Sequence, residues 1–233
     1  MLSQSIREND FMGLCVNVET WPMPAAIGMA TEGIKAKYND GSGGGGGFGA
    51  ADYQMASLID GAKVLLTIDR MQKKAAHLAD WSLYAYASPL WNSKENKKRL
   101  VESVLNDWVV VSSEQGMIVQ KRTCLKVKAL ISTIAGNIAL EQMAGAQTHF
   151  DHDGIQYTPS VSRQFLIKAL VEVDCKDKNI ESDGFRKKRT RYYQNHWYEW
   201  EKHIEVIRTL LINYDKSARK LFKKELENKN GAI

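Results

Sequence analysis

The chain has 233 residues, of which 44% are hydrophobic and 25% charged, a composition typical of a globular protein with one or two domains. A net charge of +5 and an isoelectric point near 9.0 suit a nucleic-acid partner without requiring one. Cys15, Cys124 and Cys175 form no Cys-x-x-Cys pair, which argues against a zinc ribbon and favours a reducing compartment. No signal-peptide block and no apolar run of 18 residues occur, so we expect a cytoplasmic protein without a membrane span.

The first 47 residues are predicted to form an arm and a linker. Residues 1–40 are the arm, or a small docking segment, in which Trp21-Pro22-Met23-Pro24 should break any helix and residues 25–37 allow a short one. Residues 41–47 contain six glycines and one serine, the composition of a flexible linker. The alternative is a phosphate-binding loop, but the Gly-Lys-Ser/Thr of a Walker A loop and the strand before a dinucleotide loop are both missing.

Residues 48–150 are predicted to form a helical domain. Apolar residues recur at spacings of three and four around residues 53–71, 77–85 and 93–108, which indicates amphipathic helices. Residues 109–119 fit either a small hairpin or two helices that meet near Gly116, and the helical pattern from Leu125 to Leu140 favours helices. A secondary basic patch (Lys121, Arg122, Lys126 and Lys128) is interpreted as solvent-facing.

One short stretch resembles a metal or acid–base cluster. His149, Asp151, His152 and Asp153 lie within five residues, but their spacing matches no standard zinc motif. Asp153-Gly154 is also an ordinary turn signal. We therefore predict a polar loop between helices here, with no metal, no cofactor and no catalytic residue.

Residues 151–233 predict a helix-turn-helix-like region. A helix from Ser160 to Val173 should turn Phe165, Leu166 and Leu170 inward, and a connection over residues 175–181 follows. One long helix then runs from Ser182 to Phe222 with Ser182 or Asp183 as its cap, although a span of about 60 Å allows a kink or break. Its apolar stripe, interpreted as core, comprises Tyr193, Trp197, Trp200, Ile204, Ile207, Leu211, Tyr214, Ala218 and Leu221.

The start of this long helix is strongly basic. Five cations occupy residues 186–191 with no acid between them, although cations at a helix N-terminus are disfavoured by about 0.3–1 kcal/mol each. A solvated basic face is the simplest interpretation, but an anionic partner would favour the arrangement. In helix-turn-helix proteins this end of the second helix enters the major groove. The predicted DNA-binding residues are Arg163, Lys168, Arg186, Lys187, Lys188, Arg189, Arg191, Tyr192, Gln194 and Asn195.

Three stretches resemble the late-gene antitermination proteins of lambda-like phages, the Q family. The first pairs Ala25-Ala26-Ile27-Gly28-Met29-Ala30 with Gly47-Phe48-Gly49-Ala50-Ala51, and the glycine linker would be an insertion between them. The second is the alanine- and aromatic-rich stretch 78–87, and the third runs from Thr158 through Leu211. Lambda-type members carry zinc-binding cysteine pairs in the middle of the chain, which this sequence lacks.

The resemblance implies a regulator that catalyses no reaction. Such proteins bind double-stranded DNA within the late promoter, engage bacterial RNA polymerase with its sigma factor, and make the polymerase read through terminators. The cations of residues 186–191 would hold phosphates, and Gln194 and Asn195 could reach base edges. Two alternatives stay open: a protein-interaction module that uses the long helix as a partner seam, and a metal-dependent enzyme built on residues 149–153. The protein could act as a monomer or a dimer.

Overall fold

The structure, a computed structural model, describes residues 23–32, 61–91, 93–144, 148–151, 154–157 and 161–228. Within these ranges the chain forms eight α-helices and one β-hairpin, which confirms the predicted mainly α fold. The helices are α1 (Met23–Glu32), α2 (Gly61–Lys74), α3 (Ala76–Tyr86), α4 (Lys94–Glu114), α5 (Lys121–Ala144), α6 (Arg163–Lys178), α7 (Asp183–Asn195) and α8 (Trp197–Glu227). The hairpin strands are β1 (Thr148–Asp151) and β2 (Gly154–Tyr157).

The chain divides into two compact units. One contains residues 1–93 and 216–233, and the other contains residues 94–215. The predicted boundary between residues 150 and 151 falls inside the second unit, because α6 packs on α5 across it. The predicted glycine linker lies outside the described residues.

In the first unit, α1, α2 and α3 pack together with the last turns of α8. Ala26 and Ile27 of α1 and Trp81 of α3 are fully buried, as expected for an aromatic core helix. Helix α1 begins at Met23 rather than after Pro24, since proline is tolerated in the first turn of a helix. The buried carboxylate of Glu225 accepts a hydrogen bond of 2.6 Å from Lys74 Nζ, which fixes the end of α8 to α2.

In the second unit, α4 to α7 pack with the first two thirds of α8. Leu100, Val104 and Trp108 of α4 are fully buried, as their spacing predicted. Most of the predicted stripe of α8 is also core, with Ile207 and Leu211 fully buried, whereas Trp197 and Leu221 are only partly buried. This stripe therefore stabilises the chain itself and is not a free seam for a partner.

Two ambiguous stretches are now resolved. Residues 109–119 are helical up to Glu114, and Gly116 takes the left-handed conformation (φ 72°) that ends the helix, so the hairpin alternative is wrong there. The stretch predicted as a polar loop instead forms an antiparallel hairpin, in which Thr148 pairs with Tyr157 and Asp151 with Gly154. The predicted turn at Asp153-Gly154 lies partly outside the described residues.

The predicted long helix is divided in two. Helix α7 ends at Asn195, and α8 begins at Trp197. Between them His196 has φ −106° and ψ 24°, and its ring Nδ1 lies 2.9 Å from the carbonyl oxygen of Tyr192. The basic run therefore lies on α7, and the apolar stripe from Trp197 onward lies on α8.

Residues 121–141 of α5 are long and apolar enough to meet the length and composition criteria for a membrane span. The core helix of a helical bundle meets the same criteria. Here Leu130, Ile131 and Ile134 are buried among the other helices of the second unit. These three residues therefore belong to the core of the second unit.

The ring of His203 should make folding sensitive to mild acid. It packs edge-on against Trp108 and Trp200, with centroids 5.3 and 5.5 Å away, and burial lowers its pKa below the ordinary value of 6.5. A depressed folded-state pKa stabilises the protein above about pH 6.5, and this contribution is lost as the pH falls through the lowered value. We expect the free energy of unfolding in urea to fall between pH 7 and pH 5, and His203→Gln to flatten that decline. An equal decline in both proteins would contradict this role.

Candidate nucleic-acid interface

Helices α6 and α7 form a hairpin with a four-residue turn. Helix α6 continues to Lys178, so the connection is residues 179–182 rather than the predicted 175–181. Asn179 adopts the left-handed conformation (φ 52°), and Ile180 N–H donates to the Cys175 carbonyl at 3.0 Å. Ser182 caps α7, as predicted, by accepting from Phe185 N–H at 3.4 Å. The turn has the length found in helix-turn-helix motifs.

The basic run of α7 is divided between two faces of the helix. At 3.6 residues per turn, Arg186 and Arg189 fall on one side, and Lys187, Lys188 and Arg191 fall on the opposite side. The side chains of Arg186 and Arg189 are partly buried, whereas the other three side chains are exposed. One stretch of sequence therefore supplies both internal contacts and a free surface.

Arg186 is held by an acid of the preceding helix. Its guanidinium donates to both carboxylate oxygens of Glu172 in a two-pronged ion pair. The hydrogen bond from Arg186 lowers the pKa of Glu172 below its ordinary value, so the pair stays ionised at neutral pH. Arg186 therefore has its anionic partner within the chain, 14 residues earlier, and needs no external anion.

Arg189 is held by a buried carboxylate, Asp174 of α6. Arg189 Nε and the Tyr193 hydroxyl each donate to Oδ2 of Asp174 at 2.6 Å. Lys126 Nζ of α5 lies 3.2 Å from its Oδ1. Asp174 is 5% exposed, so a single buried charge links three helices.

Aromatic rings complete the surroundings of Asp174. Tyr193 is fully buried and meets Trp200 edge-on at 5.6 Å between centroids. Lys126 Nζ lies over both rings, 5.5 and 5.6 Å from their centroids. Arg189 lies over the ring of Tyr192 at 4.3 Å. These cation–π contacts hold the two cations beside the carboxylate.

The cluster fixes its own protonation states. Burial raises the pKa of Asp174, but hydrogen bonds from Tyr193 and Arg189 and the charge of Lys126 outweigh it, so the net pKa is below the ordinary value. Burial, together with the hydrogen bond to Asp174, raises the pKa of Tyr193 well above its ordinary value. At neutral pH the carboxylate is therefore charged and the phenol is neutral, which is the state that this hydrogen bond requires.

The outward face of α7 (Gly184, Lys187, Lys188, Arg191 and Asn195) is open. Within the part of the chain that the structure describes, its three cations form no ion pair. A Cβ added at Gly184 would meet no atom within 4 Å. Gln194 is exposed beside this face. The arrangement presents concentrated positive charge followed by two amides.

Of the remaining predicted site residues, Arg163 is bound within the chain, whereas Lys168 and Tyr192 are exposed. Arg163 holds the end of α7, because its Nη2 donates to the Gln194 carbonyl at 2.8 Å and its guanidinium lies 5.1 Å from the Trp197 ring centroid. Lys168 is exposed on α6. Tyr192 is also exposed, and its ring stacks on His196 with centroids 4.3 Å apart. Phe165, predicted to face inward, is 56% exposed in the first turn of α6.

Two acids that organise this site were not predicted from the sequence. Glu172 and Asp174 lie in the last two turns of α6, and Arg186 and Arg189 follow them at 14 and 15 residues. Acids and arginines at similar separations on the two sides of a short turn indicate such ion pairs in the sequence. Lys126, assigned to a solvent-facing patch, instead pairs with Asp174.

The metal alternative finds no support among the described side chains, in which no three His, Cys, Asp or Glu residues form a group that could hold a metal. Of the four candidates, His149 and Asp151 lie on β1. His152 and Asp153 lie outside the described residues. The prediction of no metal site stays a prediction.

Comparison with known proteins finds no relative of this chain. No protein-family model, no curated protein and no solved structure matches it. The likeness to the Q family therefore depends on its three stretches of sequence, and the role of α7 has to be inferred from geometry.

Removing the Asp174 carboxylate should destabilise the fold severely. Asp174→Ala removes the buried carboxylate and leaves the partly buried cations Arg189 and Lys126 without it, and breaking a buried ion pair costs about 3–5 kcal/mol. Tyr193→Phe removes one hydrogen bond to a charged group and should cost about 1.5–3 kcal/mol. Urea unfolding followed by circular dichroism measures both. A loss below about 1 kcal/mol for Asp174→Ala would show that the cluster does not stabilise the unit.

Proposed function

We propose that the protein is a DNA-binding transcription regulator that contacts DNA through the outward face of α7. The observation that carries this proposal is that Lys187, Lys188 and Arg191 are exposed and form no ion pair among the described residues, on the second helix of a hairpin. Ion pairs within the chain explain why Arg186 and Arg189 lie on this helix, but no ion pair among the described residues explains the other three cations. Lys187 and Lys188 also lie near the positive end of the helix dipole, where an anion is favoured.

The proposed contacts divide by chemistry. Lys187, Lys188 and Arg191 would neutralise backbone phosphates, which positions the helix without reading sequence. Asn195 and Gln194 carry both donors and acceptors, and an amide can bind adenine with two hydrogen bonds in the major groove. The predicted contacts Arg186, Arg189 and Arg163 act instead as positioning residues, since each is committed to a contact within the chain.

A rigid support favours this use of α7. Its inner side is tied to α6 at Glu172 and Asp174, and its last turn is tied to Arg163. A surface that is ordered before binding loses less conformational entropy on association. The outward cations are thus held on a fixed helix while their own side chains stay free to meet phosphates.

The more specific proposal is transcription antitermination. It rests on the resemblance to the Q family, which implies binding to promoter DNA and to RNA polymerase with its sigma factor. Co-purification from a bacterial host, scored for RNA polymerase and for DNA, tests this level separately. Retention of DNA without polymerase would leave a DNA-binding protein and remove the antitermination role.

Neutralising the outward face of α7 should weaken DNA binding and reduce its dependence on salt. For the triple variant Lys187→Gln, Lys188→Gln and Arg191→Gln, the slope of log K against log salt should fall in magnitude by about 0.9 for each phosphate that is no longer neutralised. Fluorescence anisotropy with a labelled duplex at several salt concentrations measures the slope.

The matched control is Lys94→Gln, Lys97→Gln and Lys98→Gln. These three exposed lysines lie on α4, and their replacement changes the net charge by the same amount. The control should keep the wild-type slope. Equal slopes for wild type and the α7 variant would refute the proposed interface.

Protein–protein contact is the second candidate function, and one surface favours it. A groove of about 560 Å³ lies along α8 beside the end of α4, and Val111, Met117 and Val206 are among the residues that line it. Tyr198 also lines it, with 70% of the residue exposed. Exposed apolar surface of this kind is characteristic of binding sites.

Tyr198→Ala tests the groove with RNA polymerase holoenzyme as the partner. If the polymerase binds there, the variant should retain less of it in a pull-down while the affinity for DNA stays unchanged, because aromatic anchors contribute strongly to interfaces. Leu90→Ala, another exposed apolar residue outside the groove, is the control. Equal retention by all three proteins would exclude the groove as the polymerase contact.

A further inference from the structure

A second positively charged feature lies beside α7. It is a cavity of about 100 Å³ whose walls come from α5, α6 and α7. Its lining contains four cationic side chains, two carboxylates and two apolar residues: Arg122, Lys126, Lys178, Arg189, Asp174, Asp177, Leu125 and Val173. None of its walls belongs to the outward face of α7.

The charges in this cavity are not balanced. Four cations and two carboxylates leave a formal excess of two positive charges. Asp174 is already surrounded by Arg189, Tyr193 and Lys126, so its negative charge is neutralised within the cluster. The Arg122 guanidinium, the Lys178 ammonium and the Asp177 carboxylate remain, and neither of these two cations forms an ion pair among the described residues.

The charges at the start of α5 also favour a negatively charged ligand. Its first turn contains Lys121 and Arg122 and no acid, so the positive end of the helix dipole carries two further cations. That arrangement is unfavourable unless an anion is bound nearby. The cavity lies next to this end of α5, because Arg122 and Leu125 both line it.

The size of the cavity and the chemistry of its hydrogen-bond donors narrow the class of ligand further. A water takes about 30 Å³ of liquid volume, so the cavity has room for one tetrahedral oxyanion. Arginine presents a planar fork that matches two oxygens of a phosphate, and lysine adds a point charge. Lys126 uses one of its donors on Asp174 and keeps two.

We infer that this cavity is a phosphate-binding site, in which Arg122, Lys178 and Lys126 hold a phosphate group between α5 and α6. Where that phosphate belongs to a DNA backbone, the inference rests on the proposed function, and the cavity extends the DNA contact of α7 sideways. Where it belongs to a free phosphate or a nucleotide, the site is independent of DNA.

Titration with inorganic phosphate at constant ionic strength tests the site directly. In the full chain, side-chain NMR signals of Arg122 and Arg189 should shift and saturate, with a dissociation constant on the order of millimolar. The double variant Arg122→Gln, Lys178→Gln, both exposed positions, should abolish the saturable shift of the Arg189 signal. Asp177→Asn removes a carboxylate from the lining and should tighten phosphate binding.

The α7 variant Lys187→Gln, Lys188→Gln, Arg191→Gln separates this inference from the proposed function. It should keep phosphate binding, because none of its residues lines the cavity. DNA binding that fails in every protein, together with intact phosphate binding, would remove the proposed function and leave this site.

The salt dependence of duplex binding identifies the source of the phosphate. A slope that falls in magnitude by about 1 or more in Arg122→Gln, Lys178→Gln assigns the phosphate to the DNA backbone. An unchanged slope with a saturable phosphate shift assigns the site to free phosphate or a nucleotide. Signals that drift linearly without saturation, or an Arg189 signal that shifts equally in the double variant, overturn the inference.

Discussion

Buried Asp174 is the charge on which the arrangement of α5, α6 and α7 depends. A carboxylate removed from water is costly unless donors surround it, and here Arg189, Tyr193 and Lys126 supply them. Arg189 and Tyr193 are one turn apart on α7, so both can reach Asp174 in only one rotation of that helix about its axis. The same rotation turns Lys187, Lys188 and Arg191 away from the chain. The internal cluster thereby decides which surface the helix offers.

The basic run contains paired and unpaired cations, and this division changes its structural interpretation. A stretch of five cations can be a solvated face, a set of internal partners or a binding surface. Here Arg186 and Arg189 have acids of α6 as partners, while the three outward cations have none among the described residues. The pairing explains how the fold tolerates positive charge at the start of α7. The unpaired remainder is the part that a DNA partner would explain.

The break at His196 has a structural consequence for the C-terminal region. As one unbroken helix, residues 182–222 would require the basic start and the apolar stripe to share one axis. The structure divides these two features: α7 is held by its ion pairs with α6, and α8 is held by its own buried stripe, including Ile207 and Leu211. Different contacts therefore hold the surface at the start of α7 and the core of α8 in place.

Local patterns in the sequence by themselves determined the mainly α fold, the core positions of Trp81, Trp108 and most of the α8 stripe, and a helix cap at Ser182 or Asp183. These features depend on helical periodicity and on side chains that bond to neighbouring backbone, so a short window contains them. Tertiary structure decided the rest. Glu172 and Asp174 lie 14 and 15 residues before their partners, and Lys126 is on another helix, so the basic run of residues 186–191 taken alone does not reveal which cations are paired. Only packing of α5, α6 and α7 separates the arginines that hold the hairpin together from the cations that form no ion pair among the described residues.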